Sequence, residues 1–193
     1  STPVSTIAKD RATEDVYVAN NGAFAKWTQA SNTWSTFRPT GSQNVQWQFH
    51  GSLIDDLRNR WVFAGGPHSL GLIDLTTHAY SSLSLTGING DPLFGDYDAI
   101  VHDLDNDRYL LQTDTRVYAI DPNSGMTAMV AAVTAAPTGP LNRFAYFADL
   151  GCVTYLPSFA SHILCMPTRP GIDGLHVPTV PPAPIVNEYY HSG

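Results

Sequence analysis

Three residues of versatile chemistry each stand six positions ahead of a recurring aspartate: His50 before Asp56, Tyr97 before Asp103 and Arg143 before Asp149. They combine an imidazole that titrates near neutrality, a phenol with both ring and hydroxyl, and a guanidinium with a planar donor fork. Such a set suits a carboxylate, vicinal hydroxyls or the side chains of a peptide. Trp47, Phe94 and His68 fall nearby in the pattern, and Asp96, Asp98 and Asp114 add carboxylates. Aromatic planes beside hydrogen-bonding groups make a sugar or peptide site, although the same residues could equally cap strand ends.

Other candidate chemistry is weaker. Asp103-Leu104-Asp105-Asn106-Asp107 alternates carboxylates like a calcium loop, but Arg108 stands where such a loop needs glycine. The equivalent stretches, Arg58-Asn59-Arg60 and Leu150-Gly151, reverse or lose the charge. The expectation is therefore a solvated hairpin tip, with calcium on Asp103, Asp105 and Asp107 as the lesser alternative and no other cofactor. No Gly-x-Ser-x-Gly elbow is present. Cys152 and Cys165 are equidistant from a turn at 157–160, so a hairpin there sets them face to face and predicts a disulfide. Two buried thiols are the alternative. Zinc is disfavoured because no Cys-x-x-Cys occurs.

The elements that must position these residues recur. Asp10, Asp56, Asp103 and Asp149 are spaced by 46, 47 and 46 residues, and Trp34, Tyr80, Met126 and Ile172 by 46. A fixed period of this length marks a repeat architecture. Each unit holds four short runs rich in β-branched and aromatic residues, punctuated by Asp, Asn and Gly. First strands are predicted at 4–8, 51–54, 99–101 and 144–147, and second strands at 16–18, 61–63, 109–111 and 153–155. Third strands fall at 24–27, 72–73, 117–120 and 163–165, and fourth strands at 34–37, 80–85, 126–130 and 172–177. No helical apolar stripe persists for three turns. Four antiparallel strands per unit at this period predict the blades of an all-β propeller. In that fold the first strands line a central channel, which brings His50, Tyr97 and Arg143 to one mouth of it.

The second unit carries a family resemblance. Phe49-His50-Gly51-Ser52, then Asp55-Asp56-Leu57-Arg58-Asn59-Arg60-Trp61-Val62-Phe63-Ala64-Gly65-Gly66, then Leu72-Ile73-Asp74-Leu75 and Tyr80 resemble a kelch repeat of the galactose-oxidase-like propellers. The third unit keeps Asp121 but has Gln112-Thr113 for the glycine pair. Kelch rings usually have six or seven blades, so four imply a complete small ring, part of a larger one, or copies that associate to close one. A copper centre of the galactose-oxidase type needs a cysteine cross-linked to tyrosine, and both cysteines here are better assigned to one hairpin.

The expected organisation is four blades over 1–177, at about 1–45, 46–92, 93–138 and 139–177. A polyproline linker and tail follow over 178–193. Ile185-Val186-Asn187-Glu188-Tyr189-Tyr190-His191 resembles the opening of a Tyr/His-rich module of secreted bacterial proteins. Charged residues make up 14% of the 193, with net charge −7, which disfavours nucleic acid and anionic membranes as partners. Low charge, abundant Ser, Thr, Asn and Gly, and nine tyrosines suit a secreted or periplasmic β protein. The function expected is an extracellular module that binds a glycan or protein segment at the channel mouth. The alternative is the C-terminal part of a catalytic propeller: a carbohydrate-active hydrolase or lyase, or a metal-dependent oxidase.

Overall fold

The computed structural model describes residues 5–20, 22–41, 51–66, 68–87, 99–113, 116–132, 144–147, 149–155 and 164–168. These residues form fifteen strands and no helix. The first sheet holds β1 (Ser5–Lys9), β2 (Val16–Asn20), β3 (Ala23–Thr28) and β4 (Thr33–Phe37). The second holds β5 (Ser52–Asp55), β6 (Arg60–Gly66), β7 (Ser69–Asp74) and β8 (Tyr80–Ser84). The third holds β9 (Ala99–Asp103), β10 (Arg108–Gln112), β11 (Arg116–Ile120) and β12 (Thr127–Ala132). The fourth shows three strands among the described residues, β13 (Phe144–Phe147), β14 (Cys152–Tyr155) and β15 (Leu164–Pro167). Its expected outer strand at 172–177 lies outside them.

Each sheet is an antiparallel meander in chain order. The first strands stand side by side, β1 against β5, β5 against β9 and β9 against β13. The molecule is thus a four-blade β-propeller with β1, β5, β9 and β13 innermost.

Burial follows from that arrangement. A blade between two others is covered on both faces, so Trp61, Val62 and Phe63 of β6 are all buried. In β2 burial alternates instead: Tyr17 and Ala19 are buried, whereas Val16, Val18 and Asn20 are half-buried. Three apolar clusters fill the three joints. Tyr17 and Phe24 meet Trp61, Phe63 and Ile73, while Leu53, Val62 and Leu72 meet Ile100, Tyr109, Leu111 and Ile120. Leu110 and Val117 meet Val153 and Tyr146.

The hairpins repeat more strictly than the sequence. Each loop between first and second strands ends in a left-handed residue: Glu14 (φ 64°), Asn59 (49°), Asp107 (46°) and Gly151 (55°). Asn32, His78 and Gly125 do the same between third and fourth strands. Asp10, Asp74 and Asp121 seed their turns alike. The Oδ1 of each accepts the backbone N–H groups two and three residues on, and each is bonded by the hydroxyl three residues on, from Thr13, Thr77 or Ser124.

These ladders correct the expected equivalence of Asp10, Asp56, Asp103 and Asp149. Lys9 pairs with Val16 and Asp10 with Asp15 across the first hairpin. Asp55 pairs with Arg60, Asp103 with Arg108 and Phe147 with Cys152. Structurally equivalent residues are therefore Asp10, Asp55, Asp103 and Phe147, while Asp56 and Asp149 lie within the loops. The neighbouring carboxylates at 55 and 56 disguised the slip.

Candidate functional site

The innermost strands of all four blades line an open cavity of about 350 Å³, with Ile7, Ser52, Ile100, His102 and Tyr146 among its lining residues. The inner strands begin at one end of this channel and finish in hairpins at the other. Ser52 is tied into the lining by the Thr6 hydroxyl, which donates to its Oγ at 2.7 Å.

His50, Tyr97, Arg143, Trp47 and Phe94 lie outside the described residues, as do Asp96, Asp98 and Asp114. In sequence, the first three immediately precede the inner strands that begin at Ser52, Ala99 and Phe144. His68 is described. It is exposed in the β6–β7 turn at the same end, and its carbonyl accepts the Leu85 N–H at 2.8 Å.

The hairpin end holds a network that the sequence did not announce. Asp55 and His102 are fully buried. The Tyr109 hydroxyl donates to Asp55 Oδ2. Arg60 Nε donates to the same oxygen at 3.2 Å, and its Nη2 donates to the Tyr109 oxygen at 2.8 Å and the Pro122 carbonyl at 2.6 Å. Arg58 reaches across the joint as a two-pronged donor to Asp107, at 2.8 and 2.6 Å, and its Nε donates to Asn123 at 2.9 Å. His102 Nε2 lies 3.2 Å from Asp107 Oδ1, and its Nδ1 lies 3.8 Å from Asp55 Oδ1.

The electrostatics follow these contacts. The Arg58 hydrogen bonds, aided by His102, hold the Asp107 carboxyl down to about 2. Asp107 in turn raises the Arg58 guanidinium further above its ordinary value. Burial, then the hydrogen bond to Asp55, pushes the Tyr109 hydroxyl well above the usual phenol range.

The network corrects two expectations. Arg58-Asn59-Arg60 and Asp103–Asp107 are solvated only in part: Asn59, Asp105 and Asn106 are exposed, while Arg58 and Arg60 bridge the second and third blades. The charge reversal between repeats is complementarity across a joint, seen again where Arg11 Nε meets Asp56 Oδ2 at 3.2 Å. His102 is a buried channel residue rather than part of a turn. The sequence signal was opposite charges in the corresponding loops of successive units.

The alternating carboxylates do not converge. Asp103 receives Arg108 and Asn106, Asp105 receives the Thr168 hydroxyl, and Asp107 faces Arg58 and His102. Among the described residues no three His, Cys, Asp or Glu side chains are grouped to hold a metal ion. Cys152 is buried, but the ladder pairs it with Pro167 and pairs Cys165 with Thr154. The two cysteines are diagonal neighbours, not directly opposed as a symmetric hairpin predicted.

The sequence matches no protein-family model and no curated protein. Its likeness to known proteins lies in the fold. It is similar to a Bacteroides thetaiotaomicron protein of unknown function, with 14% identity and a TM-score of 0.62 over 82% of this chain and 44% of that one. It is also similar to Myxococcus xanthus glutaminyl cyclase, with 17% identity and a TM-score of 0.53 over 79% and 67%. A third likeness is to an extracellular domain from B. thetaiotaomicron, with 10% identity and a TM-score of 0.50 over 78% and 19%. The chain thus spans less than half the length of two of these structures. No described helix is long and apolar enough to cross a membrane.

Proposed function

We propose that this chain is a secreted or periplasmic kelch-like binding module that holds a glycan or protein segment where the inner strands begin. One observation carries the reading: four inner strands stand around a single cavity, and the stretches bearing His50, Tyr97 and Arg143 lead directly into three of them. In this reading strand direction brings an imidazole, a phenol and a guanidinium to one end of the channel. Trp47, Phe94 and His68 supply apolar planes and a second imidazole around them. In this reading Arg143 takes a carboxylate or vicinal hydroxyls, Tyr97 stacks and donates, and His50 completes the polar set without a metal. A Cys152–Cys165 disulfide staples the last hairpin.

The opposite, hairpin end is occupied by the joint network, in which Arg58 and Arg60 bond the carboxylates of Asp55 and Asp107. Affinity electrophoresis through gels containing polygalacturonate or xylan tests the proposal, together with metal analysis of the purified protein. Retardation by either polysaccharide with no stoichiometric metal is expected. Free migration in both, with stoichiometric copper, calcium or zinc lost on replacing His50 or His68, would overturn it in favour of the catalytic alternative.

A further inference from the structure

The blade joints repeat one geometry, and one leading and one trailing face are left over. In each joint the trailing face of one blade packs on the leading face of the next. The ladder register makes Ile7 of the first blade equivalent to Ser52 and Ile100 of the second and third. Ser52 and Ile100 are 4% and 3% exposed, whereas Ile7 is 63% exposed. Val16 and Val18 correspond to Trp61 and Phe63, and to Tyr109 and Leu111. Those four interior residues are buried, but both valines are half-buried, and Trp34 on the same face is 61% exposed. On the trailing side of the fourth blade Cys152, across the ladder from Phe147, is buried, and the exposure lies on the inner strand. Phe147 is 45% exposed at the ladder position where Asp55 and Asp103 are 0%. Ala145, two residues before it, is exposed as well.

The two leftover faces are also matched in chemistry. At the second joint, the trailing carboxylate of Asp55 accepts the leading hydroxyl of Tyr109. At the open ends, Phe147 replaces the carboxylate and Val16 replaces the hydroxyl donor. An apolar residue at each position suits the other face and leaves both poorly suited to water.

We infer that the leading face of the first blade and the trailing face of the fourth dock on each other between two copies of this chain. Two such head-to-tail contacts close a ring of eight blades by a two-fold axis. Exposure of Ile7 and Phe147 within one molecule shows that a single copy does not bury them. The new contact continues the three joints already present within one chain.

Sedimentation velocity of the 193-residue chain tests this. A species of twice 21.0 kDa is expected. Ile7→Asp and Phe147→Asp should each give a monomer with an unchanged circular dichroism spectrum. Leu57→Asp, at an exposed hairpin tip off both faces, should remain dimeric. If Ile7→Asp fails to fold, Trp34→Ser reads out the same face. A parent that stays monomeric at every concentration overturns the inference. So does a dimer indifferent to Ile7→Asp and Phe147→Asp, or growth beyond two copies.

Discussion

Asp107 serves two roles at once: it ends a hairpin in a left-handed conformation, and it receives the Arg58 fork from the preceding blade. Its carboxyl is held from an ordinary 3.8 to about 2 in the folded chain. A depressed acid contributes stability that is complete above the unfolded value and is lost as pH falls through the folded one. The advantage of the parent over Asp107→Asn should therefore be constant above about pH 5 and shrink to nothing near pH 2. Melting temperatures across that range check it, and a pH-independent gap would contradict the pairing. Asp55 depends on Tyr109 in a different way, because both are buried. Tyr109→Phe removes one donor to a buried carboxylate and should cost about 1–3 kcal/mol in urea unfolding. An unchanged midpoint would show that the two arginines satisfy Asp55 alone.

At the scale of the strand and turn, most of the fold was legible. Short β-branched and aromatic runs, such as those of β2, β6, β10 and β11, stand where composition placed them, since strands buried on one or both faces select those residues. The repeat register was misread, because loop residues are free to carry aspartates that ladders do not align. A firmer marker was Thr40-Gly41 and Thr86-Gly87, also 46 apart. Each threonine bridges to the next blade, Thr40 to Ala79 and Thr86 to Met126, and each glycine has positive φ. Close approach matters at the second bridge, where a Cβ on Gly125 would meet the Ser84 carbonyl oxygen at 2.1 Å. Gly125→Ala should lower the melting temperature well beyond Gly22→Ala. Gly22 also has positive φ but no atom within 4 Å, so its alanine costs only the backbone strain of about 1–2 kcal/mol. Equal effects would mean that the second and third blades do not touch there.

For the whole molecule, the propeller followed from period and strand composition, but the contacts that join its blades did not. Arg58 to Asp107 and Thr6 to Ser52 link residues 49 and 46 positions apart, and a pattern read within one repeat is blind to them. The proposed disulfide, which rests on the hairpin as much as on the cysteines, is tested by thiol titration of unreduced, denatured protein. No reactive group is expected, and two would remove it. The functional claim concerns where the inner strands begin, so the most direct measurement is the affinity of Arg143→Ala for whichever polysaccharide retards the parent. Loss of a charged hydrogen bond to the ligand should weaken binding by about 1.5–3 kcal/mol while the melting temperature holds. Binding as tight as the parent's, or a variant that unfolds, would contradict a ligand site at that end of the channel.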